Sequence, residues 1–321
     1  MKKLIALFCA VLLLVSLAAC SAPTAADDGK FVIGICQIEP HPALDAATQG
    51  FVDALTQALG EDKVEFITQN AAGDTNTLNT IINDYVSKKV DLILANATPV
   101  LQVAHNATDT IPILGTSVTE YGVALKIDNF DGLVGGNVSG TSDLAPLDKQ
   151  AQMVLDWCPD AKNVGLLYCS AEANSIYQVN QVKKYLEGKG ITCKEYSFAT
   201  TSDLSAVAEK AAAESDAIYV PTDNTVANSA QLVDSICRAQ RVPVIAGEEN
   251  ICAGCGIATL SISYYDLGQT TGKMAIQILK GEANISEMKI AYAETQTPKY
   301  NKDLCEYLGI EPLEGYVAIG E

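Results

Sequence analysis

Short continuous apolar runs alternate with longer stretches of helical spacing along most of this chain. Residues 31–36 (FVIGIC) form the first run, as expected of a strand covered on both faces. Residues 43–59 then repeat at helical spacing, with Ala43, Ala47, Phe51, Ala54, Leu55 and Ala58 on one side. Residues 64–68 read as a second strand. Asp74 or Thr75 caps a helix reaching residue 87. Strand 90–95, helix 100–107 and strand 111–115 follow. Strands separated by helices of this length predict βαβ units and a parallel sheet.

The pattern then restarts. Residues 147–157 are helical, 163–169 a strand, 175–189 helical and 192–198 a strand. Helix 204–214, strand 217–221, helix 225–238 and strand 242–246 complete a second set. Between the sets, residues 120–143 are rich in Gly, Val, Asn and Ser without helical spacing, which suits a crossover between domains. After residue 246 come a Gly/Cys turn at 253–256, an extended run at 257–263, a helix at 265–280 and a strand at 285–293. These extra pieces favour a chain that recrosses a hinge over two independent domains in series. The expected fold class is α/β: two Rossmann-like lobes with parallel sheets joined by a hinge. The N-terminal lobe takes residues 31–121 plus about 260–285, and the C-terminal lobe takes 122–259 plus about 286–321.

The first thirty residues break this rhythm. Lys2 and Lys3 precede an apolar run from Leu4 to Leu17, too short for a comfortable membrane span of about 20 residues. Leu17-Ala18-Ala19-Cys20 follows, and the whole reads as a secretory signal over 1–20. The cysteine at the cleavage position resembles the bacterial lipobox, which implies lipidation of Cys20. An ordinary signal peptide with an incidental cysteine is the plainer alternative. Residues 21–30 hold nothing to bury and read as a flexible tether. The body is therefore expected outside the cytoplasm, lipid-anchored to the cell membrane.

Charge narrows the partners. The net charge is −18, and removal of Lys2 and Lys3 makes it −20, which argues against nucleic acid. Ten cysteines are many for an exported chain, yet Cys36, Cys169 and Cys193 lie in apolar runs where cysteine behaves as a small hydrophobe. Cys252-Ala-Gly-Cys255 is a lone CxxC, open to a local bridge or to free thiols. With only His41 and His105 in the chain, no metal site and no cofactor is expected.

In open parallel sheets, ligands bind beyond the carboxyl ends of the strands. Those ends are strongly polar here. The first set offers Gln37, Asn96, Thr98, Thr116 and Ser117, rich in donors. The second offers Glu172, Asn174, Ser175, Tyr177, Asp223, Asn224 and Glu248, rich in carboxylates. A zwitterion with its carboxylate against one lobe and its ammonium against the other fits that polarity. Thr98, Thr116 and Ser117 would hold the carboxylate, and Asp223, with Glu172 or Glu248, the ammonium. The same residue types are ordinary helix caps, and for each one that reading stays open. His41, between Pro40 and Pro42, reads as a structural part of its turn. The sequence holds no Gly-x-Ser-x-Gly elbow, Walker loop or dinucleotide fingerprint placed after a strand, so no enzyme is expected.

Several of these segments resemble the TrpX-like substrate-binding proteins of ABC transporters. They include residues 35–37, 41–46, Gly50-Phe51, 115–119, GGNVSGTSD at 135–143, 163–168, 171–175, 221–226 and 264–268. The resemblance implies the type I periplasmic-binding-protein fold, and a monomer is expected. It also implies delivery of a small ligand, amino-acid-like and in some members aromatic, to an ABC permease and its ATPase. Stacking on such a ligand would fall to Tyr121, Tyr168, Tyr177 or Tyr264. A sensor subunit for a membrane signalling protein, a sugar or nucleoside receptor, and a surface enzyme are the competing readings.

Overall fold

The computed structural model describes residues 29–293 and 295–320. The expected signal over 1–20, the lipidation at Cys20 and tether residues 21–28 lie outside the described residues. From the first strand the alternation is as expected: β1 (Phe31–Gln37), α1 (Pro42–Leu59), β2 (Val64–Asn70), α2 (Thr75–Lys88), β3 (Leu92–Asn96), α3 (Thr98–Ala107) and β4 (Ile113–Val118). Asp74 caps α2, its carboxylate accepting the Thr77 N–H at 2.6 Å.

The segment read as a patternless crossover contains two elements, α4 (Tyr121–Leu125) and β5 (Val138–Ser142). The β5 strand is VSGTS, buried throughout, and its hydroxyls hide its strand character. Then come α5 (Leu147–Trp157), β6 (Asn163–Cys169), α6 (Ala173–Gly188), β7 (Thr192–Phe198), α7 (Thr201–Glu214) and β8 (Ala217–Val220). The helix expected at 225–238 is broken at Ser229 into α8 (Asn224–Asn228) and α9 (Ala230–Gln240). After β9 (Val244–Ala246), the expected Gly/Cys turn is instead a capped helix, α10 (Glu249–Cys255). The chain ends through β10 (Ala258–Ser261), α11 (Tyr264–Leu279), β11 (Ala291–Tyr292), β12 (Thr297–Tyr300), α12 (Lys302–Leu308) and β13 (Val317–Ala318). Of the strand expected at 285–293 only β11 forms, after a 3₁₀ turn at Ile285–Glu287.

Two sheets result within the compact unit Phe31–Glu321. One is parallel throughout, in the order β11-β5-β4-β3-β1-β2. The other runs β13-β12-β10-β9-β8-β6-β7, with β10 and β12 antiparallel. Strand pairing thus carries the first lobe past residue 121, through β5, and past 285, to β11. It also assigns β10 to the second sheet. The lobe crossings fall just after Ser142, after Ser261 and after Tyr292. Each sheet is covered on both faces. Ile33, Ile35, Leu92 and Leu94 face one layer, while Cys36, Ile93 and Ala95 face the other. Helix α11 belongs to the recrossing chain yet packs closely on α1, joined there by Ala43, Ala47, Tyr264 and Leu267. All eight described cysteines are free thiols.

Candidate ligand cleft

The chain leaving β1, β4, β5, β6, β8 and β9 converges on one enclosed space between the lobes. Its walls are His41, Leu44, Ser117, Thr119, Asp143, Asn174, Thr222, Asp223, Asn224, Ala227, Glu248 and Tyr264. The cavity is small, about 10 Å³, room for roughly one water molecule. The lobes are closed upon it, and interlobe hydrogen bonds hold them. Asn228 Nδ2 donates to Glu39 Oε2, and His41 Nε2 lies 3.4 Å from Asn224 Oδ1.

Four buried polar atoms on this wall have no hydrogen-bond partner among the described residues: His41 Nδ1, Ser117 Oγ, Asp143 Oδ1 and Asn174 Oδ1. Leaving a buried polar group unpaired costs about 1–3 kcal/mol. Four such atoms around one space mark it as polar and built to be filled. They come from both lobes and from the crossing after β5.

Local structure explains how each is aimed. Ser117 sits in a β-bulge, where the β4–β5 register slips between Gly115 and Val118. Its φ is 54°, a left-handed value that serine adopts reluctantly. His41 precedes Pro42 at the start of α1, but its ring makes no capping bond to that helix. Asp143 follows β5 and accepts the Tyr264 hydroxyl at 3.0 Å through its other oxygen. Asn174 opens α6, its amide nitrogen donating to Glu172 Oε2 at 3.1 Å and to the Thr222 carbonyl at 2.9 Å.

Of the residues expected from the sequence, Ser117, Asn174, Asp223, Asn224 and Glu248 reach the cavity wall. The three acidic residues expected to meet an ammonium are already engaged as local acceptors. Asp223 caps α8 through Val226 N–H at 2.9 Å and also accepts Cys169 N–H and Ser175 Oγ, both at 2.7 Å. Glu248 caps α10 through the N–H groups of Asn250 and Ile251. Glu172 accepts from Asn224 and Thr225, main chain and side chain alike. Ser175 is fully buried and turned to Asp223.

The rest of the first-lobe set faces inward. Gln37 and Asn96 tie β1 and β3 to α1 through Asp45, Thr48 and the Leu44 carbonyl. Thr116 Oγ1 accepts from Thr141, which also meets Thr271 at 2.8 Å. Thr98 is buried at the head of α3, away from the cavity wall. Tyr177 lines a separate groove beside α5 and α6. Tyr264 stands on the wall, whereas the hydroxyls of Tyr121 and Tyr168 bond to the Thr141 carbonyl and to Glu195. Six wall residues lie outside the expected set: His41, assigned to its turn, Asp143, hidden in the apparent crossover, and Leu44, Thr119, Thr222 and Ala227.

Burial sets the electrostatics. Desolvation pushes the Asp143 carboxyl up, and the hydrogen bond from Tyr264 pulls it partly back. Burial first, then the Glu172 charge, pushes Asp223 up. Burial raises Glu248 to about 7. Desolvation lowers His41, keeping its ring neutral at physiological pH. With no lysine or arginine on the wall and the His41 ring neutral, a cationic group is the natural occupant of the acidic part.

The family model of the ABC transporter substrate binding protein matches residues 32–316. A tyrosine-binding protein of Clostridioides difficile is 34% identical over 288 residues, covering 88% of this chain and 81% of that protein. Among solved structures, an ABC domain from Streptococcus pneumoniae in complex with L-Trp is similar, with a TM-score of 0.85 at 30% identity, covering 90% of this chain and 99% of that one. The ligand-free, open structure of a substrate-binding protein with adhesive properties from Clostridium difficile is more similar in sequence, at 36%. It superposes less well, with a TM-score of 0.68 over the same 90% and 99%. The closed arrangement of the lobes here matches the liganded relative better than the open one. The paired parallel sheets, the cleft at their carboxyl ends and a family match over nearly the whole body agree, and the chain belongs to the ABC transporter substrate binding protein family.

Proposed function

We propose that this chain is the lipid-anchored, extracytoplasmic receptor of an ABC importer, and that it takes an amino acid, aromatic in side chain, into the cleft between its lobes. The carrying observation is the ring of four unpartnered polar atoms drawn from both lobes onto one closed space. A dipolar solute would satisfy them only when the lobes are shut, so ligand and closed state are coupled. Tyr264 and Leu44 supply apolar wall beside them. The names of the relatives, one tyrosine-binding and one complexed with L-Trp, support the ligand class. The present cavity is too small for any amino acid, so entry requires the hinge to open and the wall to rearrange. The permease and its ATPase would receive the closed form.

Thermal unfolding against amino acids, nucleosides and sugars tests the reading. A ligand that binds only the folded chain at a hundredfold its Kd adds about 2.7 kcal/mol of stability. L-tyrosine or L-tryptophan should raise the midpoint by several degrees and leave the solution unchanged. A midpoint moved only by sugars or nucleosides would overturn the ligand class, and turnover of the bound solute would overturn the receptor.

A further inference from the structure

Resting on the amino-acid reading just given, we infer that His41 is a ligand-binding residue whose acceptor face is set by Glu172 through Asn224, and that His41, Asn174 and Asp143 together form a socket for a primary ammonium group.

The deduction starts from Glu172, which as a carboxylate only accepts. Asn224 Nδ2 donates to it at 2.6 Å, so the amide of Asn224 cannot be turned the other way. Its Oδ1 therefore faces His41 Nε2, at 3.4 Å. An amide oxygen only accepts, so Nε2 carries the imidazole proton. The neutral ring then has its lone pair on Nδ1, the atom left unpartnered in a residue that lines the cavity. The same logic fixes Asn174. Its Nδ2 donates to Glu172 at 3.1 Å, so its unpartnered Oδ1 is an acceptor. Asp143 adds a third, since its Oδ2 is taken by Tyr264 and its Oδ1 is free.

Three unpartnered acceptors thus share one wall. A primary ammonium carries three N–H donors and no acceptor, so it matches the set one to one. A hydroxyl would satisfy one of them, and a carboxylate would satisfy none. The remaining unpartnered atom, Ser117 Oγ, is a hydroxyl able to donate. It is the free donor for the ligand's carboxylate. This moves the ammonium from the capping carboxylates Asp223 and Glu248 to the socket. Glu172 and Asn224 become positioning residues that do not touch the ligand's nitrogen.

Two measurements on the full chain test this. The first is calorimetric titration with L-tyrosine and L-tryptophan, beside their N-acetyl and des-amino analogues. A site built for N–H donors rejects analogues lacking them on the order of 10⁴-fold. Glu172→Gln, which can present an amide nitrogen to Asn224, should weaken the parent amino acids roughly tenfold. The second is nitrogen-15 NMR of the imidazoles, simple because the chain has two histidines. Assignment by H105Q leaves His41, expected as the neutral Nε2–H tautomer and shifted toward a mixture by Glu172→Gln. A tautomer unmoved by that change, or an Nδ1–H ring, overturns the relay. Des-amino analogues that bind as tightly as their parents overturn the socket while leaving the receptor standing. Binding by no amino acid overturns both.

Discussion

Ser117 shows what the cleft demands of a single residue. Its backbone sits at φ 54°, and its hydroxyl is buried without a partner. Left-handed geometry in a non-glycine residue costs on the order of 1–3 kcal/mol. Both penalties sit at the position where β4 ends on the cavity. Ser117→Gly should remove both and raise stability by about 1 kcal/mol, after glycine's extra unfolded-state entropy is subtracted. The same change should weaken amino-acid binding about tenfold by deleting the hydroxyl. Chemical unfolding and calorimetry on the variant check the two signs, and a variant both less stable and equally tight would contradict the assignment. Glu248 makes a second residue-scale prediction. Burial holds its carboxyl at about 7 against an ordinary 4.5. Between those values the folded chain keeps a proton that the unfolded chain releases, so stability falls as pH rises through the window, by up to about 3 kcal/mol from this group. Glu248→Gln should flatten that part of the profile in unfolding titrations between pH 4.5 and 7. At this scale the sequence was half legible. Polar strand ends announce a site, but caps and ligand contacts use the same side chains. All four of Asp143, His41, Asp223 and Gln37 are buried, and only their unpaired atoms set the first two apart.

Elements read from the sequence according to how much apolar surface they carry. The strands β1, β3, β6 and β8 are continuous apolar runs and are found where expected. β5 is not, because VSGTS builds its pairing from backbone and its burial from small hydroxyl residues packed against β4 and α11. α10 is short and glycine-bearing, and its existence depends on the Glu248 cap rather than on periodicity. The recrossing helix α11 was legible as a helix but not in its partner. It lies so close to α1 that a Cβ at Gly268 would overlap the Ala47 carbonyl oxygen, and one at Gly50 the Tyr265 carbonyl. Overpacking of this kind costs about 1–3 kcal/mol or more, since two helix backbones must part. Gly268→Ala should therefore lower stability by at least about 2 kcal/mol. It should also weaken ligand binding, because Tyr264 opens the same helix and its hydroxyl holds Asp143. A variant that unfolds like the parent and binds like it would show that the contact is looser than described. Helix proximity of this degree is a property of two distant segments, 50 and 268, and no window on one of them reveals it.

The lobes of the molecule meet across the cleft, and the balance of the contacts between them sets apparent affinity. Glu39 of the first lobe and Glu172 of the second face the same side opening of the cleft. Burial and then the Glu172 charge push the Glu39 carboxyl up, so closing the lobes has an electrostatic cost. Asn228 offsets it by donating across the opening to Glu39. Neither Glu39 nor Asn228 lies on the wall of the inner cavity. If the closed form is the binding form, affinity scales with the fraction of chains that are closed. Asn228→Ala deletes a hydrogen bond to a charged group, worth about 1.5–3 kcal/mol, and leaves Glu39 facing Glu172 unaided. The expected result is a Kd for L-tyrosine or L-tryptophan raised about tenfold or more, with the larger radius of gyration of an open form in solution scattering. Glu39→Gln works in the opposite direction on the repulsion, since it removes the charge and keeps an oxygen for Asn228. It should favour closure at high pH, where the parent's Glu39 carries its charge, and change progressively less as the pH falls and the parent's carboxyl takes up a proton. Equal affinity and equal dimensions for Asn228→Ala and its parent would mean that the lobes close without this contact, and the hinge rather than the opening would then set the balance.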